Sequence, residues 1–459
     1  MYRTFFKVKG VNEVNSILEI SSFLIRYKGA TTAQEIYNIV QSVFYVLNII
    51  MMIFMFVCYA HQFFHAFVGL FTKSKKWPEA KKNHKYAYII SARNEAKVIP
   101  YLIDSIYEQD YPRELMQVFV VADNCTDNTA EVAQEHGAIV YKRKNNIKVG
   151  KSYALDYILH RIMEDKAYDD FEAFFVFDAD NLVSSSFTKE MNKLFDSGVE
   201  VATSFRDSKN FAKNWITAGQ GFSFYRECLL LHHSRSLLGM GTFISGTGFF
   251  VKRDVLVKYD GWKFNTMVED IEFSLNCAID GIKIEYCEDA VFYDEQPESL
   301  KVSLNQRLRW CKGTHQCFAK YDGRLGKKCL LKPSQTRFEL AIHVAPVPII
   351  LFAWSIITFL VNTFYFLIKM MPLEVYLNST LLSLFNFFFG AYCMFLFFSA
   401  CCSIKYGKKM KASKGKIVLY TFTFPLFMAF YLPLSMTALF KKVKWTPIPH
   451  DDAVSIELL

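Results

Sequence analysis

Residues 41–71, QSVFYVLNIIMMIFMFVCYAHQFFHAFVGLF, contain no Asp, Glu, Lys or Arg. A helix needs about 20 apolar residues to cross a bilayer, so this run predicts a transmembrane helix. Two more apolar runs follow late in the chain, at 341–368 and 377–404, joined by the link KMMPLEVY. So short a link predicts a transmembrane hairpin, assigned to 338–404. A fourth run, IVLYTFTFPLFMAFYLPLSMTALF at 417–440, is interrupted by Pro425 and Pro433, each of which removes a helical hydrogen bond. It reads as a Pro-broken interfacial or membrane helix.

The stretch between the first two runs has a different rhythm. YAYII, VFVVAD, AIVYKR and FEAFFVFDAD are short apolar segments, and VIPYLIDSIYEQ, TAEVAQEHG and KSYALDYILHRIMED between them have helical spacing. Nearly continuous apolar strands alternating with amphipathic helices predict a largely parallel sheet covered on both faces. This α/β domain is assigned to 80–320.

Composition agrees with a membrane protein: 52% of the residues are hydrophobic and 45 are Phe, more than a wholly soluble chain carries. The net charge of +9 arises mostly from basic residues interspersed with acidic ones, with no basic stripe among exposed aromatics, which excludes nucleic acid as a partner. The basic segments KYGKKMKASKGK and KKVK flank the fourth run. Cytoplasmic loops are enriched in Lys and Arg, so both flanks and the α/β domain are assigned to the cytoplasmic side of the plasma membrane, and the fourth run dips in and returns. Anionic membrane lipids are partners for the basic loop. Arg3, Lys7 and Lys9 oppose an outside N-terminus, and Val11 to Tyr27, within an N-terminal segment 1–40, reads as a further helix lying on the membrane surface. The eleven cysteines form no CxxC pair and no zinc-site spacing, so reduced thiols are expected.

Ligands of parallel α/β sheets bind beyond the carboxyl ends of the strands. Ala92, Arg93 and Glu95 follow the first strand, Asp123 closes the second, and Asp178 and Asp180 close FFVFDAD. Two carboxylates two residues apart on an extended chain point the same way, so they can share one hard cation and let it bridge phosphate oxygens. Alone, a DxD triplet occurs by chance; here it ends a buried strand in company with Asp123. Further along come a Gly246-Thr247-Gly248 turn and the pair Glu269-Asp270 at a helix start. Acids there favour the helix dipole, and one of them is equally well placed to accept a proton. The segment QRLRW brings Gln306, Arg309 and Trp310 within about one helical turn. It suits a basic helix resting on the membrane surface, and it suits phosphate capture by Arg with a sugar stacked on Trp. Adjacent His232 and His233 read as helix residues in different surroundings without metal.

The ordered set SARNE, VADNCTD, VGKSYALD, DAD, SGTGFF, VED and QRLRW resembles family 2 glycosyltransferases, specifically the membrane-embedded synthases related to cellulose, chitin, hyaluronan and poly-N-acetylglucosamine synthases. The resemblance covers residues 86–310. It implies an α/β GT-A fold beside an α-helical transmembrane region. It also implies inverting transfer from a nucleotide-sugar donor, usually a UDP-sugar, with Mg2+ or Mn2+, to a glycan or lipid acceptor. Carried over residue by residue, Ala92, Arg93 and Glu95 match the nucleotide-binding turn, Asp123 the base- or ribose-contacting carboxylate, and Lys151 a basic residue near the nucleotide. Asp178 matches the DxD carboxylate at the diphosphate and Asp180 the metal ligand. Asp270, with Glu269 beside it, matches the general base of a TED motif, with Val268 in place of Thr. Gln306 and Arg309 match the donor side of the QxxRW cluster; Trp310 and the turn Gly246, Thr247, Gly248 are assigned to the acceptor.

The tail KVKWTPIPH, within 441–459, is similar to a segment that closes over the nucleotide in such synthases, which makes Trp445 and Thr446 gating residues or, equally, a juxtamembrane anchor. The expected activity is addition of sugar to a growing polysaccharide. A single transfer to a lipid, as in relatives of ceramide glucosyltransferase, is the second reading, and a non-catalytic scaffold the third.

Overall fold

The computed structural model describes residues 33–443 and residue 456, and the chain divides into two compact units. The expected surface helix at Val11 to Tyr27 and the tail residues Trp445 and Thr446 lie outside the described residues.

The larger unit comprises Val57–Phe352 and the chain from Phe387 onward. Past helix α1 (Ala33–Phe71) come β1 (Tyr86–Ala92), α2 (Ile99–Tyr107), β2 (Met116–Asp123), α3 (Thr129–Glu135), β3 (Ile139–Arg143), α4 (Lys151–Glu164), β4 (Ala173–Asp178) and β5 (Leu182–Val183). Then follow α5 (Phe187–Asp196), β6 (Val201–Ser208), α6 (Trp215–Arg226) with a π-helical turn (Glu227–His233), β7 (Phe249–Lys252), α7 (Glu269–Asp280), β8 (Ile284–Asp294) and α8 (Leu300–Leu331).

The eight strands make one sheet in the order β3-β2-β1-β4-β7-β6-β8-β5. In β1, Tyr86, Tyr88 and Ile90 are buried with Phe175 and Phe177 on one face, while Ala87 and Ile89 are buried with Phe119, Leu155 and Ile158 on the other. Successive side chains point to opposite faces and both faces are covered, which is why the strand reads as an unbroken apolar run. The sheet is largely parallel, as expected, with β6 and β8 also paired parallel and only β7 and β5 reversed. Strands β3, β2, β1 and β4 are parallel, but β7 runs antiparallel to both β4 and β6, and β5 antiparallel to β8. An apolar run such as Phe249–Lys252 has the same pattern in either direction, so hydrophobicity carries no information on strand polarity.

Past α8 and its neighbour α9 (Gln335–Val344) come α10 (Val347–Leu367), a short helical turn (Leu373–Tyr376) and a π-helical turn (Leu377–Leu381) that run into α11 (Leu382–Tyr406), then α12 (Lys414–Ala429) and α13 (Tyr431–Phe440). Helices α12 and α13 meet at Phe430, where Pro433 has no N–H to offer the Ala429 carbonyl. Phe424 and Phe427 of α12 share one core with Phe222 and Leu229 from α6 and its π-helical extension. The basic loop between α11 and α12 lies on the α/β domain: Lys409 stands 3.9 Å over the Phe205 ring, Lys411 4.8 Å over Tyr293, and Lys416 Nζ donates to the Ala212 carbonyl at 3.1 Å.

The smaller unit contains described residues 33–56 together with Ala353–Asn386. Within it, Phe44 stacks on Trp354 at 5.4 Å and Trp354 Nε1 donates to Asn48 Oδ1 at 2.7 Å. Among the described residues four helical spans are long and apolar enough to cross a membrane: Glu35–Phe71, Val347–Leu367, Leu373–Tyr406 and Lys414–Phe440. The Pro-broken fourth is 33% buried over its most apolar window, against 6–11% for the others, because it packs on the α/β domain.

Candidate active site

The parallel pairing of β1, β2 and β4 sets their carboxyl ends side by side: Ala92 pairs with Ala122 and Ser91 with Asp178. The loops beyond β1 and β2 are tied together. Asn94, at φ +60°, accepts from the Thr126 amide at 2.8 Å, and the Glu95 amide donates to Thr129 Oγ1 at 2.9 Å. This ties the turn that carries Arg93 and Glu95 to the segment that follows Asp123. Asp123 is 5% exposed and forms an ion pair with Arg143, its register partner on β3. Arg143 was not anticipated; it closes β3 without motif or company, and only the strand register brings it to Asp123.

Asp178 ends β4, and Lys151, at the first position of α4, bridges it to the other side of the site. Lys151 Nζ donates to Asp178 Oδ1 and, at 2.8 Å, to the Gly246 carbonyl. The Asp178 amide donates to Thr247 Oγ1 at 3.0 Å, and the Thr247 hydroxyl donates to Asn181 Oδ1. Asp180 is 4% exposed in the same turn. Among the described residues no group of three or more His, Cys, Asp or Glu is arranged to hold a metal by itself. Asp178 and Asp180 supply two carboxylates to this turn, oxygen donors of the kind a hard cation accepts alongside phosphate oxygens and water.

Gly246-Thr247-Gly248 is a tight reversal leading into β7. At Gly248, φ is +68° and an added Cβ would run into the Phe292 ring. Gly248→Ala is expected to cost more than about 2 kcal/mol, from the left-handed backbone and overpacking together, read as a fall in Tm. An unchanged Tm would show that the turn is looser than this packing requires.

The first turn of α7 carries three acids with separate roles. Glu272 is fully buried and accepts from the Thr266 amide at 2.7 Å, Lys320 Nζ at 2.6 Å and the Tyr321 hydroxyl at 2.7 Å, which fastens α7 to α8. Asp270 faces the Gly-Thr-Gly turn: a Cβ on Gly246 would stand 3.6 Å from Asp270 Oδ2. Burial, and then the charge of Asp270, push Glu269 up to about 7, while Lys151 and Arg309 act to lower it. Burial also pushes Asp270 up, opposed by the Ile271 amide, Lys151 and Arg309. Lys151 and Arg309 thus act on both carboxyls, one from α4 and one from α8. The structure brings Lys151, Asp178, Gly246, Glu269, Asp270 and Arg309 together.

Helix α8 splits its two arginines. Arg309 acts toward Glu269 and Asp270, and Trp310 lies 6.2 Å from the Phe224 ring. Arg307 is fully buried on another side, donating to the Phe427 carbonyl at 2.8 Å and stacking on the Phe427 ring at 3.9 Å. Gln306 Oε1 is buried with no hydrogen-bond partner. His232 and His233 are both buried away from this group, hydrogen-bonded to Thr242 and Glu288 respectively.

A family model described as Glycosyltransferase like family 2 matches residues 84–313. The chain is 24% identical over 288 residues to a probable glycosyltransferase, YdaM, of Bacillus subtilis (strain 168), covering 58% of this chain and 63% of that protein. It is 29% identical over 243 residues to a beta-monoglucosyldiacylglycerol synthase of Nostoc sp. (strain PCC 7120), covering 51% of this chain and 49% of that one. A cellulose synthase catalytic subunit of Pseudomonas fluorescens (strain SBW25) is 26% identical over 303 residues, 63% of this chain and 38% of that protein. The chain thus spans less than two thirds of the length of each of these relatives. In structure, it is similar to the mannosyltransferase PcManGT from Pyrobaculum calidifontis, solved with GDP-Man and Mn2+, at a TM-score of 0.53 and 16% identity, covering 86% of this chain and 99% of that one. That likeness identifies the α/β fold as GT-A. With the family model covering half the chain and the motif residues gathered at the strand ends, the chain belongs to the glycosyltransferase-like family 2.

Proposed function

We propose that this chain is an inverting, metal-assisted hexosyltransferase that moves a sugar from a nucleotide-sugar donor, a UDP-sugar, to a growing polysaccharide at the membrane. The reading is carried by one observation: Lys151 joins Asp178 to the Gly246 carbonyl, and Gly246 abuts Asp270. This adjacency supports a diphosphate site and a base candidate standing side by side.

In this mechanism Ala92, Arg93, Glu95 and Asp123 hold the nucleotide, and Gln306 and Arg309 lie on the diphosphate side. Asp178 and Asp180 would hold Mg2+ or Mn2+, which supplies charge neutralisation at the diphosphate. Asp270 takes the proton from the acceptor hydroxyl as that oxygen bonds to the anomeric carbon and the bond from this carbon to the diphosphate breaks. Lys151 and Arg309 stabilise the charge that develops on the departing nucleotide. Trp310 and the Gly246–Gly248 turn face the acceptor. The basic loop before α12 supports a cytoplasmic catalytic domain at the plasma membrane.

Transfer of one sugar to a lipid is the second reading, favoured by the 29% identity to a beta-monoglucosyldiacylglycerol synthase. A donor screen on nanodisc-embedded protein tests both. Nucleotide release is expected with a UDP-sugar and with Mg2+ or Mn2+, and is expected to stop with EDTA. A product ladder supports polysaccharide synthesis, and one discrete glycolipid supports the second reading. No release with any UDP- or GDP-sugar would defeat both and favour a scaffold.

A further inference from the structure

Behind the cleft lies a buried lattice that none of the motifs announced. Asp294, the last residue of β8, is 4% exposed and collects four hydrogen bonds on one carboxylate. Arg206 donates to Asp294 Oδ2 through Nε at 3.0 Å and Nη2 at 2.7 Å, Gln296 Nε2 donates to the same oxygen at 2.7 Å, and Asn181 Nδ2 donates to Asp294 Oδ1 at 2.8 Å. The remaining edge of Arg206 donates from Nη1 to the Ser245 carbonyl at 3.0 Å. Its guanidinium plane rests 3.7 Å over the Phe224 ring, the ring that meets Trp310.

The two ends of this lattice are the two turns that matter for transfer. Asn181 directly follows Asp180 and also accepts from Thr247, so one end grips the Asp178–Asp180 turn. Ser245 directly precedes Gly246, whose carbonyl receives Lys151 and whose Cα faces Asp270, so the other end grips the turn beside the base. The hydrogen bonds of the pair run to Ser245, Gln296 and Asn181, so it reaches the two turns through backbone and neighbours, and the Asp178 charge also acts on Arg206. A guanidinium is a planar fork with donors in fixed directions; engaged on two edges and stacked on a third surface, it has little freedom left.

We propose that the Arg206–Asp294 ion pair is a positioning element that sets the spacing between the Asp178–Asp180 turn and the Ser245–Gly248 turn beside Asp270. The donor diphosphate and the acceptor oxygen are held by different turns, and the pair, together with the Thr247 and Lys151 bonds that join these turns, sets how far apart they stand. Its kinetic consequence rests on the glycosyltransferase reading; its structural consequence does not.

Arg206→Lys keeps the charge but cannot reproduce the fork, so a role confined to charge predicts rescue and a positioning role predicts none. In full-length protein in nanodiscs, Arg206→Lys is expected to lower kcat by about 10- to 100-fold, the size expected for misplacement on the order of 1 Å, with donor KM changed less than about threefold. Amide hydrogen exchange is expected to accelerate in both turns, around residues 178–182 and 244–248. Arg206→Met with Asp294→Asn removes both charges, so it avoids leaving either one buried alone. This double variant is expected to recover Tm relative to Arg206→Met while kcat stays low. Recovery of kcat together with Tm would reduce the pair to a stability element and overturn the proposal, as would unchanged exchange in both turns of Arg206→Lys. Absence of turnover by the unaltered protein with every donor would defeat the reaction itself, and the exchange measurement would then still decide the role of the pair.

Discussion

Asp270→Asn is expected to lower sugar transfer by about 10²- to 10⁴-fold and to raise Tm at the same time. The loss of rate follows from removing the proposed proton acceptor. The gain in stability follows from the two carboxyls at the start of α7. Glu269 is raised from an ordinary value of 4.5 to about 7 by burial and by its neighbour's charge. A carboxyl raised on folding binds its proton more tightly in the folded state, so its contribution falls as pH rises from about 4.5 to about 7 and stays lost above that. Burial is the larger cause and stays, but removing the Asp270 charge relieves the repulsive part of that penalty for Glu269 at pH 7.5, and the stability difference between variant and unaltered protein should shrink as pH falls toward 5. Initial rates and thermal melts across this range check both parts. Unchanged transfer would remove Asp270 from the chemistry; a lower Tm at pH 7.5 would show that the pair is not repulsive.

Gly313→Ala is the second large effect. Gly313 lies on α8 one turn beyond Arg309, and a Cβ there would stand 2.8 Å from the Val268 amide nitrogen and both of its methyls. Val268 immediately precedes Glu269 and Asp270, so the methyl forces α8 away from the turn that carries the base. Arg309 moves with the helix. A displacement on the order of 1 Å in such a site costs about 100-fold in rate, and overpacking costs about 1–3 kcal/mol in stability. The same helix supplies its control. A Cβ on Gly323 meets nothing within 4 Å, so Gly323→Ala should gain about 0.8–1.0 kcal/mol of helix propensity with activity intact. Equal rates for the two variants would disprove the close packing of α8 on Val268.

The value of α8 as a test comes from what its sequence hides. QRLRW places two arginines two residues apart, and only the resemblance to the QxxRW cluster singles out Arg309. The packed helix separates them: the Arg309 charge is felt by Glu269 and Asp270, whereas Arg307 is sealed against Phe427 at the bend between α12 and α13. Glu272, two residues beyond Asp270, carries no mark of its role in the sequence; Lys320 and Tyr321 claim it for the junction with α8.

The sequence by itself determined the alternation of strands and helices, the four apolar runs and the positions of the motif residues. These depend on local periodicity and on side-chain chemistry a few residues apart, both readable without knowing what the chain touches. Only the tertiary structure decided the reversed direction of β7, the pairing of Asp123 with Arg143, and the clasp between Arg206 and Asp294, 88 residues apart. Those depend on strand register and on which surfaces meet when distant segments pack, and a charged residue on one strand carries no mark of the partner it will find on another.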